Sequence, residues 1–139
     1  MPGRIAYLPL NTYPEGLSDA ATRATIGMAE TLDCRMHVAT FAVDIPPVAS
    51  PLGGFLIDVE GMARAAEDRS KAECDRLRAL IETGVKDSGA VTFVHHQPVM
   101  GAALDWAAVE SRYFDLAFLP WSVASASAQD MAQSLVYGS

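Results

Sequence analysis

Basic charge is what this chain has least of. Ten lysines and arginines stand against seventeen aspartates and glutamates, a formal net charge of −7. Neutralising phosphates takes a basic face, so the balance argues against a nucleic-acid partner. It also disfavours an anionic membrane surface. No apolar run reaches the ~18 residues that span a bilayer. The opening stretch MPGRIAYLPL has one arginine, a short apolar run and then Asn11, too little for a secretory signal, and no small-residue cleavage site follows. Cysteine is scarce too. Cys34 and Cys74 show no metal-ligand spacing, which points to reduced thiols in a cytoplasmic protein. Gly-x-Ser-x-Gly, internal repeats and low-complexity tracts are all missing. What remains is an ordinary globular balance, half hydrophobic and 19% charged, in a length that suits one domain over 1–139.

The hydrophobic period alternates between strand-like and helix-like. Residues 4–10 (RIAYLPL) form a short apolar run and are expected as a buried strand. Residues 18–33 have helical spacing, with Ser18 or Asp19 as N-cap and Ala21, Ala24 or Thr25, Met28 and Leu32 as the inner stripe. Residues 35–43 (RMHVATFAV) are expected as a second strand. A proline- and glycine-rich loop, 44–57, follows and is the one segment expected to be mobile. The longest helix is expected over 58–83, with Val59, Met62, Ala66, Cys74, Leu77 and Ile81 inward. A strand over 90–96 and a helix over 101–113 come next, the latter with Leu104, Ala107 or Ala108, and Trp106 as inner candidates. Residues 115–121 (DLAFLPW) are the fourth strand, and 127–138 the last helix, with Gly138 as its C-cap.

Apolar strands alternating with helices predict a parallel sheet covered on both faces, a three-layer α/β/α domain. Residues 4–10 and 115–121 are the most apolar strands, which predicts that they lie side by side at the sheet centre. Ligands in such folds bind at the carboxyl ends of the strands, where strand order reverses.

The succession resembles the universal stress protein family along essentially the whole chain. The first strand ends Pro-Leu-Asn where the family usually has Pro-Val-Asp. The second ends FAVD where the family often has His-Val-x-Asp. A proline-rich loop and a long charged helix follow, and Asp115 opens DLAFL like the family's Asp-Leu-Ile-Val-Met. The resemblance implies a nucleotide-binding-like fold, similar to the adenine nucleotide alpha hydrolases. Nucleotide-binding members carry Gly-x-x-Gly after the fourth strand and Gly-Ser or Gly-Thr further on. Those glycines let backbone N–H groups wrap a triphosphate. Here the corresponding positions hold Pro120, Val123 and the pair Gln133-Ser134. Gly138-Ser139 lies too late to replace the pair and suits a helix end. The resemblance therefore implies the non-ATP-binding branch: a stress-response binding or association module with a degenerate nucleotide site, no cofactor and no enzymatic activity. The remnant site it implies comprises Pro9, Leu10, Asn11, Ala42, Leu119, Trp121 and Ser122, with Asn11 in place of the usual acid and Trp121 packed across the former site. The alternative is a binder of ATP or of another adenine-containing or anionic ligand. The family also ends in a strand that often pairs across a dimer. Ser139 falls where that strand would begin. The resemblance thus implies a domain lacking its final strand, readable as the first half of a tandem stress protein, with a homodimer or a sister domain covering the fourth strand.

Other chemistry-bearing residues read more simply. His95 and His96 are strand neighbours, so they point to opposite faces and do not chelate one metal. His37 reads as a satisfied strand histidine and Cys74 as a small core residue. Cys34 beside Arg35 lacks a neighbouring base or resolving thiol. Glu67 and Lys71 are spaced for an exposed helix pair worth about 0.2–0.5 kcal/mol, part of a solvated face. Ser122, Ser125 and Ser127 form a polar loop.

Overall fold

The structure, a computed structural model, describes residues 3–47 and 58–138. Most of the loop expected to be mobile lies outside the described residues. The elements alternate as β1 (Ile5–Asn11), α1 (Asp19–Thr31), β2 (Arg35–Phe41), α2 (Val59–Gly84), β3 (Val91–His96), α3 (Ala103–Ser111), β4 (Leu116–Ala117) and α4 (Ala126–Gly138). All strand pairs are parallel, in the order β3-β2-β1-β4. This is a three-layer, Rossmann-like α/β/α sheet.

The layers follow from strand alternation. Ala6, Leu8 and Leu10 with Met36 and Val38 face Ile26, Ala29, Leu77 and Ile81 of α1 and α2. Tyr7, Ala39 and Phe41 face Ala107 and Ala108 of α3 and Met131 and Leu135 of α4. Right-handed crossovers produce this division, because the chain steps one way from β1 to β3 and then returns past β1 to β4.

β1 and β4 are adjacent, as expected, but among the described residues β4 is an edge and not central, and it is two residues long where 115–121 was expected. The cause lies in two prolines. Ile5 and Tyr7 turn their carbonyls toward β4, accepting from Asp115 N–H at 3.1 Å and Phe118 N–H at 2.9 Å. Backbone groups alternate sides along a strand, so Pro9 is the next residue to face that way. Pro9 has no N–H to give, and Pro120, arriving opposite, has none to return. The ladder stops there, short of the expected end of the fourth strand.

Two helix faces also differ from their expected ones. α1 buries Thr22, Thr25, Ile26 and Ala29, while Met28 and Leu32 are exposed. The threonine hydroxyls donate to the carbonyls of Ser18 and Ala21, which hides their polarity and lets them face the sheet. Ser18 caps the helix through Ala21 N–H. In α2 the inner stripe is Glu67, Ser70, Cys74, Leu77 and Ile81, with Met62 exposed. The first turns of α2 meet the chain leaving β2, whose free N–H groups need acceptors, so polar residues face inward there.

Candidate functional site

Three of the strand ends form a cleft. Asn11 closes β1, Ala42 and Val43 leave β2, and the turn from Pro98 to Gly101 leads from β3 into α3. Tyr13, Pro14, Ala103, Leu104, Ser127 and Asp130 complete a cavity of about 210 Å³. Its rim is built by specific bonds. Ser70 Oγ accepts from Val43 N–H at 3.0 Å, and Thr12 Oγ1 lies 2.6 Å from the same hydroxyl while donating to Phe41 O at 2.8 Å. Glu67, far from being a solvated partner of Lys71, is buried; it accepts from Ile45 N–H at 2.8 Å and from Arg64 at 2.6 Å. Arg64 also donates to Ile45 O. On the far side Met100 N–H donates to Asp44 O at 2.8 Å, and Gly101 takes φ 92°, a conformation suited to glycine. α3 then starts on Ala102, which offers no capping side chain.

The lining is mostly apolar and contains one carboxylate, Asp130, and no basic side chain. The Asn11 side-chain amide has no hydrogen-bond partner among the described residues. The cavity therefore favours a small uncharged or weakly cationic ring over an anion. Beside it, on the β4 side, Pro9, Asn11, Leu119 and Pro120 meet Leu17, Ser127, Ala128 and Met131 around a space of only about 10 Å³. This half of the crevice is filled by the first turns of α4.

Of the remnant residues, Asn11 and Ala42 line the open cavity, and Pro9, Asn11 and Leu119 the filled one. Leu10 is a core residue, and Ser122 accepts from Ala124 N–H within its own turn. Neither lines either cavity. Trp121, expected across the former site, is 53% exposed and lines neither, because Pro120 turns the chain so that Ala128 and Met131 fill the space instead.

A second cluster lies under the sheet. His95 and His96 do point to opposite faces: His95 Nδ1 meets Thr40 Oγ1 at 2.9 Å, whereas His96 Nε2 lies 3.3 Å from Glu110. Glu110 also accepts from the fully buried Tyr7 hydroxyl at 2.9 Å, and His37 Nε2 is 3.9 Å away. Burial first, and then the hydrogen bond and charge of Glu110, push the Tyr7 hydroxyl well above the usual tyrosine range. His37 is held by Thr92 at 2.8 Å and stacks on Phe114. Among the described residues no group of three His, Cys, Asp or Glu side chains is placed to hold a metal ion. The two imidazoles approach the carboxylate from different places along the sheet, with His37 paired to Thr92 and His96 to Phe41. Sequence inspection passed over Glu110 because its partners come from three strands. A carboxylate at the end of the apolar run Trp106–Val109 was the available signal.

Cys34 and Cys74 are both free and buried. Burial pushes the Cys74 thiol up, against the lowering effect of its hydroxyl neighbours. Among the described residues no helix is long and apolar enough to cross a membrane. No protein-family model matches the sequence, and no curated protein matches it.

Proposed function

We propose that the chain is a non-catalytic binding module of the universal stress type, taking a small, uncharged planar ligand at the carboxyl ends of β1–β3 and unable to seat a triphosphate. One observation carries this reading: the crevice is divided into an open, apolar half of about 210 Å³ and a filled half of about 10 Å³. The open half falls below the roughly 300–1,000 Å³ of drug-sized sites and suits a single ring system. The filled half contains Pro120, where the family resemblance would put the first phosphate-wrapping glycine. Val123 is exposed, and Ser134 donates to Leu104 O, tying α4 to α3 where the later glycine pair would stand. Asp130 adds repulsion toward phosphate.

Parallel calorimetric titrations with adenosine and Mg-ATP test the reading. Adenosine should give saturable heat that Ala42→Trp abolishes by filling the cavity, and Mg-ATP should give no saturable binding in the micromolar range. Micromolar Mg-ATP affinity, or adenosine heat indifferent to Ala42→Trp, would overturn it.

The proposal extends to self-association as a two-fold homodimer through the outer side of β4, which pairs with nothing among the described residues. The ladder on offer is short, so association should be weak and concentration-dependent. Sedimentation equilibrium should show mass rising toward that of a dimer; an unchanging monomer mass at high concentration removes this part.

A further inference from the structure

α3 has a second face that is largely exposed. Ala107 and Ala108 point into the core, while Trp106, Val109 and Tyr113 are 46%, 49% and 82% exposed. With Ala102, Asp105 and Glu110 they line an open groove of about 450 Å³ running along the helix. Ala102, Trp106, Val109 and Tyr113 follow one another at spacings of three or four, with Asp105 and Glu110 beside them, so the groove is one continuous stripe. Its chemistry is specific. Two aromatic rings and a valine supply the apolar surface, two carboxylates flank it, and no basic side chain lines it.

The groove is also rigid. Glu110 cannot swing into solvent freely, because Tyr7 and His96 hold it. The Trp106 ring lies 4.7 Å from the His96 ring, which sits 5.1 Å from buried Phe41. Asp105, by contrast, has no side-chain partner among the described residues. A preformed aromatic wall beside a fixed and a free carboxylate is a cation-recognition arrangement.

We propose that this groove docks an arginine-bearing segment of a partner protein, with a guanidinium over Trp106 between Asp105 and Glu110 and its alkyl stem on Val109. A planar guanidinium stacks on an aromatic face and meets a carboxylate with two donors at once, which a lysine ammonium does not. Tryptophan and tyrosine are also the residues that most often anchor protein interfaces. A second copy of this chain does not fit. Two-fold packing would oppose Asp105 and Glu110 to their own counterparts, in a chain already carrying −7. The inference is independent of the cleft at the strand ends.

The chain has two tryptophans, so Trp121→Phe, at an exposed site, leaves Trp106 as the sole reporter. In that background, Trp106 fluorescence is followed against a helical peptide of alanine, leucine and arginine, its lysine counterpart and its glutamate counterpart. The arginine peptide should give a saturable change, the lysine peptide a weaker one and the glutamate peptide none. Asp105→Asn should weaken arginine-peptide binding about fivefold, the upper range for an exposed charge pair. Trp106→Ala, read by calorimetry with circular dichroism confirming the fold, should lose it. Binding unchanged by both substitutions would be adhesion to an acidic surface and would overturn the proposal. So would an unresponsive Trp106, or self-association that Trp106→Ala abolishes.

Discussion

Glu67→Ala should cost about 2–3 kcal/mol of folding stability in urea denaturation. It leaves the buried Ile45 N–H without its acceptor, a loss of roughly 1–3 kcal/mol, and it frees Arg64 from a carboxylate that is itself only 5% exposed. Glu67→Gln keeps an oxygen for Ile45 and loses only the pair with a half-exposed arginine, so it should cost less than about 1 kcal/mol. Ser70→Ala acts on the same segment by releasing Val43 N–H. The two changes loosen one stretch of chain, and the double variant should therefore fall short of the sum. Adenosine binding should weaken alongside, since Ala42 and Val43 form the cleft rim. Equal costs for the Ala and Gln variants would show that the Ile45 bond contributes nothing.

Tyr7 should make the protein sensitive to alkali. Its folded pKa is raised, so the folded state holds the proton after the unfolded chain has released it. Its contribution is complete below about pH 10, the ordinary tyrosine value, and falls above it by up to about 1.4 kcal/mol per pH unit. Tyr7→Phe removes that slope. It also removes one donor to Glu110, which keeps His96, so the variant should be about 1 kcal/mol less stable near neutrality. The two stability curves should then converge at about pH 11. Denaturation midpoints measured from pH 7 to pH 11 decide it; parallel curves would mean that Tyr7 ionises as easily folded as unfolded.

The order of elements, the parallel sheet and its three layers were legible in the sequence, because they rest on periodicity within each segment. β2, β3 and α2 lie close to their expected spans for that reason. So does the opposed pointing of His95 and His96, which needs nothing beyond strand alternation. The position of the cleft was not legible: strand order reverses between β1 and β4, where the first turns of α4 fill the space, and the open cavity lies at the ends of β1, β2 and β3 instead.

Tertiary structure alone decided the rest, wherever a residue's role depends on a partner far along the chain. Pro9 and Pro120 each look tolerable in an apolar strand; only their arrival at the same side of the β1–β4 ladder, with neither able to donate, ends β4 after two residues. Glu67 sits in a run that reads as solvated charge until the chain leaving β2 presents an N–H to it. Glu110 meets Tyr7 and His96 because three elements converge, and Trp106 faces out because Ala107 and Ala108 allow α3 closer to the sheet. Local pattern determines which element forms. Which face it turns, and which polar groups go inside, is set by the hydrogen-bonding groups that the neighbouring elements leave unmatched.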